Sequence, residues 1–165
     1  MNKANKLKQW GNFILYTTLQ VAITQSTAPC FVYIAFFLLL PRRQDGETLF
    51  LLISFFIGLF IDTFYNSIGT HVFASVLMVY SRGLLLRFVF PTSTHDTAVL
   101  SSLGWKGYAL FALILISIHH TALFFLDAGS ITPFFVIMRK VLYSTLLTYT
   151  VVLTTQSITF LSRKR

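Results

Sequence analysis

Cysteine is nearly missing from this chain: Cys30 is the only one among 165 residues. A single thiol has no intrachain partner, which excludes a disulfide framework and a multi-cysteine metal site. Cys30 reads as a small apolar residue near a helix start. Charge is the second scarcity. Charged residues make up 11% of the chain, and only five are acidic, whereas soluble domains carry about 25%. With 55% hydrophobic residues and a mean hydropathy of +0.73, a water-soluble body would have too few charges to cover its apolar surface. The chain reads as an integral membrane protein with no room for a separate soluble domain. Reaction motifs are also missing. There is no His-x3-His pair and no zincin motif. His119 and His120 are adjacent, so they point about 100° apart on a helix and do not easily share one ion. There is no Gly-x-Ser-x-Gly elbow, and no acyltransferase-type His followed by Asp at the familiar spacing. The expectation is therefore no catalytic residues, no metal and no cofactor.

The positive charge has a different meaning. A net charge of +8 could suggest nucleic acid, but the basic residues sit in short clusters between apolar runs, as topology determinants do. No nucleic-acid partner is expected; the bilayer is the surrounding medium. Lys3, Lys6 and Lys8 ahead of Phe13–Val21 resemble the start of a signal peptide, yet the chain runs straight on into another apolar stretch. A retained first helix is favoured.

Read in order, the sequence predicts an all-α, polytopic helical membrane bundle. It forms a single domain over 1–165, with helices at about 9–24, 29–40, 49–65, 70–88, 105–126 and 134–161. The second is short: about 12 residues rise only ~18 Å, against a hydrocarbon core of ~30 Å. The first two segments read as a hairpin of short helices, with one bent helix as the alternative. Thr48 is placed to cap the third helix. Asn66–Thr70 reads as a tight turn. Trp105 and Tyr108 read as interfacial belt residues, and the many phenylalanines as lipid-facing bulk. Placing both termini in the cytoplasm leaves only Arg139 and Lys140, of 13 lysines and arginines, on the outer side.

The stretch Leu49–His71 carries the unusual chemistry. Asp62 lies deep in an apolar run, and Ser54, Gly58, Asp62 and Asn66 recur at four-residue spacing, one narrow stripe on a helix. An ionisable group at membrane depth is costly and faces protein. Asp62, His71, His119, His120, Asp127, Arg139 and Lys140 are all expected at the outer level. The simplest partner for Asp62 is Arg139, with a histidine from the fourth or fifth helix also able to offset the charge. Contact with another protein or a ligand, and a proton relay, are the other uses open to it. Ser54-x3-Gly58 is a small-x3-small pattern that lets a second helix approach closely, within the bundle or from a neighbour. The candidate assembly and partner residues are Ser54, Gly58, Asp62, Asn66, His71, His120 and Arg139. The Ser/Thr-rich face of the sixth helix reads as internal helix–helix hydrogen bonding.

These residues carry a resemblance. Gly58-Leu59-Phe60-Ile61-Asp62 closes the third helix and Gly69-Thr70-His71-x2-Ala74 opens the fourth. Together with Leu19-Gln20, the Pro41 end of the second segment, His119-His120-x4-Phe125-Leu126 and Ser144-Thr145-Leu146, the chain resembles the rod-shape-determining MreD family over nearly its whole length. The resemblance implies a non-enzymatic component of the bacterial inner membrane. Such a protein binds MreC and, through it, acts with RodA, its class B penicillin-binding protein and MreB in peptidoglycan synthesis and rod shape. It also implies a six-helix bundle similar to the substrate-capture components of ECF vitamin transporters, with Gly58 and Asp62 as marked positions. The competing reading is a membrane capture subunit of a small-molecule transporter using Asp62, His71 and His120.

Overall fold

The computed structural model describes Leu38 and residues 47–88, 99–128 and 131–163. These residues form four helices: α1 (Glu47–Tyr65), α2 (Thr70–Phe88), α3 (Val99–Asp127) and α4 (Phe134–Arg163). No strand occurs among the described residues. Each helix contains a stretch long and apolar enough to cross a membrane: Glu47–Tyr65, Thr70–Phe88, Leu103–Asp127 and Phe134–Ser157. They are consistent with a helical membrane bundle and correspond to the predicted third to sixth segments. The predicted helices at 9–24 and 29–40 lie outside the described residues, apart from Leu38, which is helical and fully buried.

Consecutive helices make the principal contacts, α1 on α2, α2 on α3 and α3 on α4. For α1–α2 and α3–α4 the connections are only a few residues, and helices joined so closely pack antiparallel. A hydrophobic core is accompanied by many buried polar groups, and large apolar side chains cover the outside. The buried set includes Ser54, Asp62, His71, Ser75, Arg82, His119, His120, Ser144, Thr145, Thr148 and Gln156. Leu49, Leu52, Phe55, Phe56, Leu59, Phe60 and Phe64 cover the outer face of α1. Water would penalise that exposed surface, whereas hydrocarbon does not. The expected lipid-facing phenylalanines include Phe88, Phe134 and Phe135 in this exposed set, while Phe50, Phe111 and Phe124 pack inside.

Three local expectations need correction. α1 begins at Glu47 rather than after Thr48, so Thr48 lies within the first turn and is not the cap. Glu47 in that turn complements the positive end of the helix dipole. Tyr108 is fully buried in the core, not at an interface, while Trp105 is 37% exposed. α3 also starts earlier than predicted, at Val99, and bends at Gly104. There φ is +67° and ψ 177°, a conformation that glycine alone adopts without strain. The membrane-length part of α3 follows this break.

Candidate functional site

The site is the joint between α1 and α2, and it grows from two helix ends. α1 closes with Asn66 at φ +51°, and the Ser67 backbone N–H returns to the Asp62 carbonyl at 3.1 Å. This six-to-one bond with a left-handed residue before it is the Schellman ending. Asparagine is the non-glycine residue that tolerates this conformation best. α2 opens with the Phe73 N–H donating to the Gly69 carbonyl at 3.0 Å, which makes Gly69 the cap position. Glycine has no side-chain oxygen to accept the next free N–H groups, as Ser, Thr or Asp at that position does.

Asp62 supplies that oxygen from the preceding helix. Its Oδ1 accepts the His71 backbone N–H at 3.0 Å, and its Oδ2 accepts that of Val72 at 3.1 Å. The Ser67 hydroxyl donates to Oδ1, and Thr70 Oγ1 lies 3.5 Å away. The His71 ring closes the group, with Nδ1 2.9 Å from Oδ1 and 3.1 Å from Ser67 Oγ. Donation to the carboxylate puts the ring proton on Nδ1. Asp62 and His71 are each 4% exposed. Asp62 therefore ends one helix with its backbone and starts the next with its side chain. Charge-assisted bonds of this kind contribute about 1.5–3 kcal/mol each, and the positive end of the α2 dipole adds to them.

Close approach makes the geometry possible. A Cβ placed on Gly58 would stand 2.5 Å from Val72 Cα, 2.7 Å from Val72 N and 2.9 Å from the His71 carbonyl oxygen. One turn before Asp62, only glycine lets the backbone of α1 touch the first turn of α2. Ser54, another turn back, is fully buried and donates to its own Leu51 carbonyl at 2.8 Å. Ser54, Gly58 and Asp62 thus line the α1–α2 contact.

α3 completes the cluster. The His119 ring donates to the Ala74 backbone carbonyl, and His119 lies close enough to His71 and His120 to act on them electrostatically. Asp127 acts on His71 in the same way. His119 and His120 are both fully buried, with ring planes at 87°. His120 uses Nδ1 on the Ile116 carbonyl at 3.0 Å and stacks on Phe124 at 6.0 Å. The Tyr65 ring lies 4.8 Å from that of His71.

The predicted residues separate accordingly. Gly58, Asp62 and His71 come together, while Ser54 and His120 are buried but bonded within their own helices. Asn66 leaves the stripe: it is exposed in the turn, because the helix ends at Tyr65 and the four-residue spacing no longer holds. Arg139 is exposed on α4, and the side chain that pairs with Asp62 is His71, with Nδ1 2.9 Å from Oδ1; this corrects the expected Asp62–Arg139 pair and agrees with the histidine alternative. A histidine from the helix that Asp62 already caps needs no long-range contact. Ser67, Gly69 and His119 join the site although the candidate assembly residues do not include them. Gly69 before Thr70 carried the signal, because a helix with a glycine cap needs an acceptor from elsewhere. No group of three or more His, Cys, Asp or Glu residues suited to a metal ion occurs among the described residues. No protein-family model, curated protein or solved structure matches the chain.

Proposed function

We propose that this chain is a non-enzymatic scaffold of the bacterial inner membrane, an MreD-like component of the cell-elongation machinery. In this reading it binds MreC and, through it, influences RodA, the class B penicillin-binding protein and MreB, and so peptidoglycan synthesis and rod shape. It crosses the membrane six times with both termini in the cytoplasm, and its bundle is similar to the ECF substrate-capture components. One observation carries the reading. Gly58-x3-Asp62 and Gly69-Thr70-His71, the two motifs on which the resemblance rests most, form a single joint. The Asp62 carboxylate is engaged by backbone N–H groups, Ser67 and His71. Groups used in this way hold two spans at a fixed approach, as a protein that presents helices to a partner requires.

The test is co-purification of the full chain from its native membrane. A stable complex with a single-span partner that has a periplasmic coiled coil is the expected result. Recovery with energy-coupling subunits and a bound vitamin would overturn the reading in favour of a capture subunit.

A further inference from the structure

At the opposite end of the α1–α2 pair from Asp62 lies a cleft of about 140 Å³. That is far above the ~15 Å³ one water needs. Glu47, Phe50, Leu51, Tyr80, Arg82 and Arg87 line it. We propose that this cleft binds the phosphate of an anionic phospholipid.

The charges set the ligand's sign. Among the described residues that line it, two guanidinium groups stand with one carboxylate, a net +1 (two minus one). Arg82 is 4% exposed, and its guanidinium carbon stands 5.8 Å from the centre of the Phe50 ring. This cation–π contact holds the group beside the cleft. Arg87 reaches Glu47 only at 3.9 Å, with side chains 61% and 52% exposed. A pair that loose and solvated is readily exchanged for a better acceptor. Guanidinium forks match phosphate oxygens in two-bond geometry. The choline or ethanolamine of a zwitterionic lipid would instead meet like charge.

The position sets the source. Glu47 is the first residue of α1, and Arg87 lies in the last turn of α2, so the cleft is at the level where an apolar span meets a headgroup layer. Its rim continues into apolar surface: Tyr80 is 56% and Leu84 39% exposed, with Leu49 and Phe88 near the same helix ends also exposed. Acyl chains can lie there while the phosphate sits among the arginines. A water-soluble phosphate would gain nothing from that surface. Basic pockets between spans are known lipid-headgroup sites in general.

The experiment uses the full-length protein in neutral detergent, titrated with phosphatidylglycerol or phosphatidylcholine of identical chains and read by native mass spectrometry. Phosphatidylglycerol should be retained in preference to phosphatidylcholine. Arg87→Gln should weaken that retention about fivefold, from the ~1 kcal/mol an arginine contributes at an anionic surface. Glu47→Gln should strengthen it, because the competing carboxylate is gone. Both positions are exposed, so neither variant depends on a refolded core. Equal retention of the two lipids, or unchanged retention in both variants, would overturn the proposal. Glycerol phosphate bound as tightly as phosphatidylglycerol would overturn the lipid assignment.

Discussion

Gly58 and Val72 meet backbone to backbone: the Cβ that Gly58 lacks would fall 2.5 Å from Val72 Cα. The contact explains why a glycine stands one turn before Asp62 on this face of the helix. The carboxylate reaches the His71 and Val72 N–H groups only because the helices are this close. Gly58→Ala should therefore do more than fill space. It pushes against backbone atoms that have no rotamer to change, whereas overpacking against side chains typically costs about 1–3 kcal/mol. The expected outcome is a loss at or above the upper end of that range, read as lower recovery and an earlier thermal unfolding midpoint in detergent. A Gly58→Ala protein with the parent's midpoint would disprove the close approach.

Asp62→Asn removes the charge and one acceptor oxygen but keeps the shape. Two backbone N–H groups, the Ser67 hydroxyl and the His71 ring then compete for a single carbonyl oxygen. Leaving one buried donor unmade costs about 1–3 kcal/mol. Abundance and partner recovery should both fall, and Asp62→Ala should be worse than Asp62→Asn. A double-mutant cycle with His71→Gln should return a coupling energy, since the two side chains touch. Arg139→Gln, on an exposed face, should leave stability within about 0.5 kcal/mol of the parent. If Arg139→Gln were as damaging as Asp62→Asn, the carboxylate would have a second cation that the described geometry does not include.

Asn66 gives the control for the turn. Its φ of +51° suits Asn or Gly and penalises a β-branched residue by about 1–2 kcal/mol. Asn66→Gly should be close to neutral and Asn66→Val destabilising, both measured as midpoint shifts. If Asn66 instead served a partner through its amide, Asn66→Gly would keep its midpoint and lose the complex.

How much of this was legible in the sequence depended on which rule governed each stretch. The Tyr65 end of α1, and both ends of α2 at Thr70 and Phe88, follow from apolar runs meeting turn residues, where local propensity and burial agree. The start of α3 did not, because the helix preceding Gly104 is too short to span and looks like loop when only crossings are sought. The stripe of Ser54, Gly58 and Asp62 was readable from helical spacing alone. Its continuation to Asn66 was not, since that spacing assumes a helix the chain had already left. Of the partners the sequence offers Asp62, Arg139 on a distant helix and a histidine on the fourth or fifth, the structure uses the histidine. The stronger demand was local: two N–H groups at a glycine-capped helix start nine and ten residues further on. Tyr108 is a related case, as aromatic identity says nothing about which face of a helix it occupies.

The polar face of α4 separates packing from recognition. Thr150, Thr154, Thr155 and Ser157 each donate to a carbonyl one turn back in their own helix at 2.8 Å. Such bonds hide a hydroxyl in an apolar setting at little cost. Ser144 does not follow them: it is fully buried and its Oγ has no hydrogen-bond partner among the described residues. A buried hydroxyl left in that state costs free energy. Ser144→Ala removes the penalty while changing little volume, so the variant should unfold at the same temperature as the parent or a higher one. Thermal unfolding and partner recovery should be measured on the same preparation. A stability gain with unchanged recovery identifies Ser144 as a tolerated packing residue. A stability gain with lost recovery would show that the hydroxyl is kept for a partner or ligand that satisfies it. A stability loss would contradict the unpaired geometry itself.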